Sequence, residues 1–170
     1  MGVLIANKRT LMLSGPCNGS NQEELCAGII RLNLTSQEDI VLYIDSEGGG
    51  LNAAMYIYDA IKESKACVRG VVTGKALSAA FVALLACHHR AAFPHARLMY
   101  HAPIINLAID HRDFDQELAN CKAYHEIMIS ELTRRGRLPR TYFETWSREE
   151  RYLTAQNAFD AGVIDQIIIR

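Results

Sequence analysis

Two hydrophobic periods alternate along the chain, and the alternation sets out its elements before any side-chain chemistry is considered. Apolar or β-branched runs at Thr10–Leu13, Ile40–Ile44 and Cys67–Thr73 are bounded by polar or glycine-containing turns and read as strands. Between them the period lengthens. Leu25, Cys26, Ile29, Ile30 and Leu32 recur at helical spacing and predict a helix over 20–33, opened by a Ser20/Glu23 capping box. Met55, Ile57, Tyr58 and Ile61 give a second helix its apolar face, and Ala79–Cys87 reads as a third. Ala91–Phe93 and Arg97–Tyr100 are short strand candidates around a Pro94-His95-Ala96 turn. A long helical pattern runs from Asp113 to Arg135, its near-heptad stripe formed by Phe114, Leu118, Cys121, Met128 and Leu132, and Gly136 stops it. A short helix over 139–146, a helix capped by Thr154 and ending at Gly162, and a strand over 163–169 complete the chain. This order predicts an α/β fold with a largely parallel sheet, a single domain over 1–170, and a long helix that projects from it.

Composition narrows the class. The chain has 170 residues, 49% of them hydrophobic and 22% charged, with a net charge of −1. Such balance gives no electrostatic reason to expect nucleic acid or a membrane surface as a partner. Its longest near-apolar run, Ala76–Cys87, is too short to span a bilayer, and the polar turn after Met1–Ala6 comes too early for a secretory leader. Five cysteines (Cys17, Cys26, Cys67, Cys87, Cys121) form no C-x-x-C pair and read as reduced core residues, which suits the cytoplasm. No metal or organic cofactor is expected. His88-His89 lacks a carboxylate or cysteine at ligand spacing and reads as a solvated pair, and Asp110-His111-Arg112-Asp113 as a solvated start to the long helix.

Three strand ends carry the candidate chemistry: Gly48-Gly49-Gly50, Ser78 and His101. Ligands of α/β sheets bind at the carboxyl ends of the strands. A serine between a strand end and a helix start holds its hydroxyl in a fixed place, beside backbone N–H groups at the positive end of the helix. A histidine and a glycine turn at two neighbouring strand ends would add a base and further N–H donors. Each feature alone has a plain structural explanation as an N-cap, a structural imidazole or a turn; their conjunction is what suggests nucleophilic catalysis.

Several ordered motifs resemble the proteolytic subunit of the Clp protease, a serine peptidase family. Val41–Gly50 is similar to its strand and glycine turn, Gly74–Ala80 to its nucleophile motif, and Met99–Pro103 to its histidine motif. Arg151–Ala155 and Ala161–Asp165 resemble its C-terminal signature, so the match runs from about Leu11 to Ile168. The resemblance implies a crotonase-type α/β fold of repeated units, with the 113–135 helix as a handle between stacked heptameric rings. It implies Ser78 as nucleophile, His101 as general base, and the N–H groups of Gly49 and Ala79 as oxyanion hole. The family's aspartate falls on Glu150, with Glu149 as the alternative third member.

Other departures concern partners. Glu47 stands where the family has proline, Ile104–Ala108 replaces a glycine-rich stretch, and the segment before the first strand looks short. Glu63 occupies a position of the pocket where an AAA+ unfoldase would dock. The function implied is a serine endopeptidase acting on unfolded proteins or short peptides inside a homo-oligomeric ring. The alternatives are an inactive structural subunit beside a paralogous Clp subunit, or an acyl-CoA enzyme of the same fold.

Overall fold

A computed structural model describes residues 9–104 and 111–169, the side chains of His111 and Arg112 excepted. The expectations for Met1–Ala6, for most of 104–108, and for the Asp110–Arg112 cluster lie outside the described residues. The strands are β1 (Thr10–Cys17), β2 (Ile40–Gly49), β3 (Val68–Leu77), β4 (His89–Ala92), β5 (Arg97–Met99), β6 (Leu153–Thr154) and β7 (Gln166–Ile167). The helices are α1 (Gly19–Thr35), α2 (Leu51–Lys62), α3 (Ala79–Ala86), α4 (His111–Arg135), α5 (Arg140–Glu149) and α6 (Ala155–Asp160). The sheet runs β1-β2-β3-β4-β7, every neighbour parallel; β5 adds parallel to β3 and carries β6 antiparallel.

The strands nearest the site outrun their apolar stretches. β2 keeps the alternation of a half-buried strand through Ile40, Leu42, Ile44, Ser46 and Gly48, all buried. Its register slips between Ile44 and Ser46 against β3, and β1 slips between Ser14 and Pro16 against β2. Such irregularities bend a strand and re-aim the segment beyond it, here the glycine turn. β3 reaches Leu77, four residues past the expected end, because β4 pairs with its first half and β5 with Lys75–Leu77.

Helix α3 is buried on every side and forms the centre of the core. Buried positions of α4 among the described residues begin only at Cys121 and continue at Met128, Ile129 and Leu132, so the first half of the helix extends away from the domain. Around Phe81 a cluster of rings closes the core: Tyr100 stacks on it and Trp146 meets it edge-on, with centroids 5.8 and 5.3 Å away.

Three expectations need correction. The Ser20/Glu23 capping box does not form: β1 runs to Cys17, so α1 begins at Gly19 with Asn18 as N-cap and Ser20 already inside the first turn. The last strand is two residues long, since Gly162 at φ 73° ends α6 and the N–H groups of Val163 and Ile164 both turn back to Ala158 O. His88 is not merely solvated; its Nδ1 accepts the Val68 N–H at 3.0 Å and closes the start of β3. Thr154 caps α6 as expected, accepting the Asn157 N–H at 3.1 Å.

Candidate active site

Among the described residues, the most strained non-glycine backbone lies where β3 meets α3. Ser78 has φ 52° and ψ −119°, a region that costs a non-glycine residue of order 1–3 kcal/mol. It is held there from both sides: its N–H donates to Met99 O at 2.8 Å, and its carbonyl accepts the Val82 N–H at 3.2 Å. Although Ser78 occupies the N-cap position, its side chain makes no capping hydrogen bond. The hydroxyl therefore lacks the role that most often explains a serine at a helix start.

The glycine turn is pressed against this residue. Gly48 takes φ 95°, and a Cβ there would lie 2.7 Å from the Ala79 nitrogen and 2.9 Å from Ser78 Cβ. Only a glycine can sit so close to Ser78. Gly49 is registered to Cys17 of β1, whose carbonyl accepts the Gly50 N–H at 3.1 Å. In a parallel ladder the residue so registered turns its own N–H away from that neighbour, which here means toward the Leu77–Ala79 side.

His101 follows β5 by one residue and is half-buried. Its Nδ1 lies 2.7 Å from Ala102 O, and because a carbonyl can only accept, the ring proton sits on Nδ1 and leaves Nε2 as the basic atom. The loop is anchored in turn by the Ala102 N–H donating to Ser147 O of α5 at 2.9 Å.

Ser78, His101, Gly49 and Ala79 all line one cavity of about 310 Å³. The structure thus brings four of the five expected site residues together. Among the described residues no hydrogen bond joins Ser78 Oγ to His101, a contact that often tightens only when substrate binds. Glu150 stands apart. It is exposed, in the left-handed conformation that ends α5, and among the described residues no carboxylate lies within 4.0 Å of a His101 nitrogen. Glu149 is turned to Arg151 at 3.6 Å.

Sequence reasoning missed the cavity's apolar wall, formed by Met55, Val82, Tyr100, Tyr124 and Met128. Met128 belonged to the helical stripe and Tyr100 to the strand before His101, but only the fold shows that they face Ser78. Tyr100 is 3% exposed; burial pushes its hydroxyl pKa well up, and its O–H meets His125 Nδ1 of α4 at 3.0 Å. Burial holds the His125 pKa below the usual imidazole value, so at neutral pH the ring that pairs with Tyr100 is uncharged. A largely apolar cavity lined by the Ser78 hydroxyl at a helix N-terminus, by His101 with its Nε2 unbonded among the described residues, and by Gly49 and Ala79 has the parts that acyl transfer uses.

Among the described residues no helix is long and apolar enough to cross a membrane. Comparison with known proteins supplies the family. A family model described as Clp protease matches residues 2–170. ATP-dependent Clp protease proteolytic subunit 1 of Mycolicibacterium paratuberculosis is 30% identical over 166 residues, spanning 95% of this chain and 79% of that protein. Proteolytic subunit 3 of Nocardia farcinica is 31% identical, spanning 94% of this chain and 75% of its own length. A solved structure of a ClpP1 point mutant from Listeria monocytogenes superposes with a TM-score of 0.84 over 95% of this chain and 92% of that one; at 24% identity it speaks to the fold. The parallel sheet, the extended helix and the Ser78–His101 cavity thus have a common explanation: the chain belongs to the Clp protease family of serine endopeptidases.

Proposed function

We propose that this chain hydrolyses peptide bonds through an acyl-enzyme on Ser78, acting in the cytoplasm within a ring of identical subunits. Ser78 Oγ attacks the scissile carbonyl while His101 Nε2 takes its proton and later delivers it to the leaving amine; water then releases the acyl group by the same relay. The N–H groups of Gly49 and Ala79 receive the oxyanion, and the apolar wall holds the side chain before the cut. The observation that carries this reading is the strained Ser78 backbone with an uncommitted hydroxyl, beside His101 in a shared cavity.

Glu150 is proposed as the third member by position in the motif. In this protomer the backbone of Ala102 satisfies His101 Nδ1, so a carboxylate would have to displace that carbonyl. Assembly supplies a cause for such a change, since Tyr124 and Met128 of the cavity wall belong to α4, the helix expected to join two rings. Unfolded polypeptide is the substrate class, and an AAA+ unfoldase or a paralogous Clp subunit is the partner class that the family suggests.

Fluorogenic peptide hydrolysis by the oligomeric fraction tests the reading. Wild type is expected to cleave and Ser78→Ala to be inactive. Glu150→Gln is expected to lose about 10⁴-fold in kcat if Glu150 orients His101, and to change little if the Ala102 carbonyl serves instead. Saturable acyl-CoA binding without peptide cleavage would favour the thioester enzyme.

A further inference from the structure

The glycine turn beside Ser78 is held by a buried hydroxyl that takes no part in the cavity. Ser46 of β2 is fully buried, at 0% exposure. Its Oγ donates to Gly15 O at 2.5 Å and accepts the Gly48 N–H at 3.0 Å, with Cys17 Sγ 3.8 Å away. A hydroxyl has one proton and two lone pairs, so with the proton given to Gly15 a lone pair is free for the Gly48 N–H. The Cys17 thiol, its pKa raised by burial, stays protonated beside it. One side chain therefore ties three points together: the irregular end of β1, the slipped register of β2 at Ser46, and the left-handed glycine that abuts Ser78.

The consequence falls on the next peptide. With its N–H engaged by Ser46, Gly48 has none to offer an oxyanion, and its orientation sets the plane that carries the Gly49 N–H. Gly50 fixes the far side through Cys17 O. We propose that Ser46 is a positioning residue of the oxyanion site: its hydroxyl holds the Gly48–Gly49 backbone so that the Gly49 N–H stays directed at the oxygen of the carbonyl that Ser78 attacks. This rests on the peptidase reading above. Ser46 touches no substrate; it acts through Gly48.

The test compares wild type, Ser46→Ala and Ser46→Thr in the full chain, by peptide hydrolysis and by amide hydrogen exchange. In Ser46→Ala, kcat is expected to fall about 10–100-fold with KM unchanged, because the lost interaction belongs to the transition state. Exchange in the 46–50 segment is expected to rise about tenfold while Val41–Ile44 keep their protection. Ser46→Thr, which retains the hydroxyl, is expected to restore most of the rate and the protection. Wild-type kcat and wild-type exchange in Ser46→Ala would overturn the inference, as would a threonine variant as impaired as the alanine one. If wild type itself cleaves nothing, the peptidase reading fails by that result. The exchange data then decide the positioning claim alone: local loosening supports it and unchanged exchange overturns it.

Discussion

Ser78 holds its backbone at φ 52°, where a side chain is strained and a glycine is not. Replacing it by glycine removes the strain, and replacing it by alanine keeps the strain while removing the hydroxyl. Ser78→Gly is therefore expected to be more stable than Ser78→Ala by about 1 kcal/mol in denaturant titration, with both variants inactive. Equal stabilities would mean that the positive φ costs nothing. Gly48→Ala should act in the opposite sense, since both its φ of 95° and the closeness of Ser78 forbid a Cβ; a loss of about 2 kcal/mol or more is expected by the same titration. At this scale Ser78, His101 and the glycine turn were legible because strand ends are where side chains and N–H groups converge. The capture of His101 Nδ1 by Ala102 O and the clasp made by Ser46 were not, because both depend on where neighbouring backbone lands, which no local pattern encodes.

Between elements, the last strand is secured by charge more than by length. β7 is two residues long, yet Asp165 before it receives Arg90 Nη2 at 2.8 Å and the Arg90 N–H at 2.8 Å, while the Arg90 side chain is 4% exposed. Burial alone would raise the Asp165 pKa, but the guanidinium outweighs it and the carboxyl titrates below its usual value. The stabilisation it gives is present above the ordinary aspartate range near 3.9 and is lost as pH falls through the lower folded value. Asp165→Asn is expected to cost about 3 kcal/mol, because it leaves Arg90 buried without a counter-charge.

His88 and His125 act at milder acidity. Burial depresses both pKa values, Arg135 and Lys62 adding to the effect at His88, while Glu126, Arg148, Glu144 and Arg140 surround His125 with opposing signs. Their neutral forms stabilise the fold above about pH 6.5, and that contribution falls away as pH drops below it. The thermal midpoint should decline from pH 7 to pH 5, and His88→Asn with His125→Gln should flatten the decline. An unchanged slope would assign it to other groups. The alternation of elements was readable from hydrophobic period, whereas the two-residue β7 was not, because Arg90 and Asp165 are paired across 75 positions of sequence.

For the whole molecule, the unpaired surface points to assembly. Ile30, Leu34, Tyr56 and Ile127 are exposed at 53, 83, 48 and 40%, on faces of α1, α2 and α4 that the domain leaves uncovered. Light scattering at micromolar concentration should therefore report a large oligomer, and a monomer would contradict the ring. The long helix was legible as a heptad-like stripe, and its packed second half explains why: Cys121, Met128 and Leu132 are buried while Phe114 and Leu118 are only partly so. The family motifs made the fold readable, whereas the proposed assembly depends on surfaces that a single chain cannot pair.

The central claim is that Ser78 is an activated nucleophile, and intact-mass measurement after fluorophosphonate treatment of the oligomeric fraction tests it most directly. One covalent adduct on wild type and none on Ser78→Ala is the predicted result. An assembled wild-type ring that takes up no adduct would contradict the account and leave the chain a structural subunit of a Clp-type assembly.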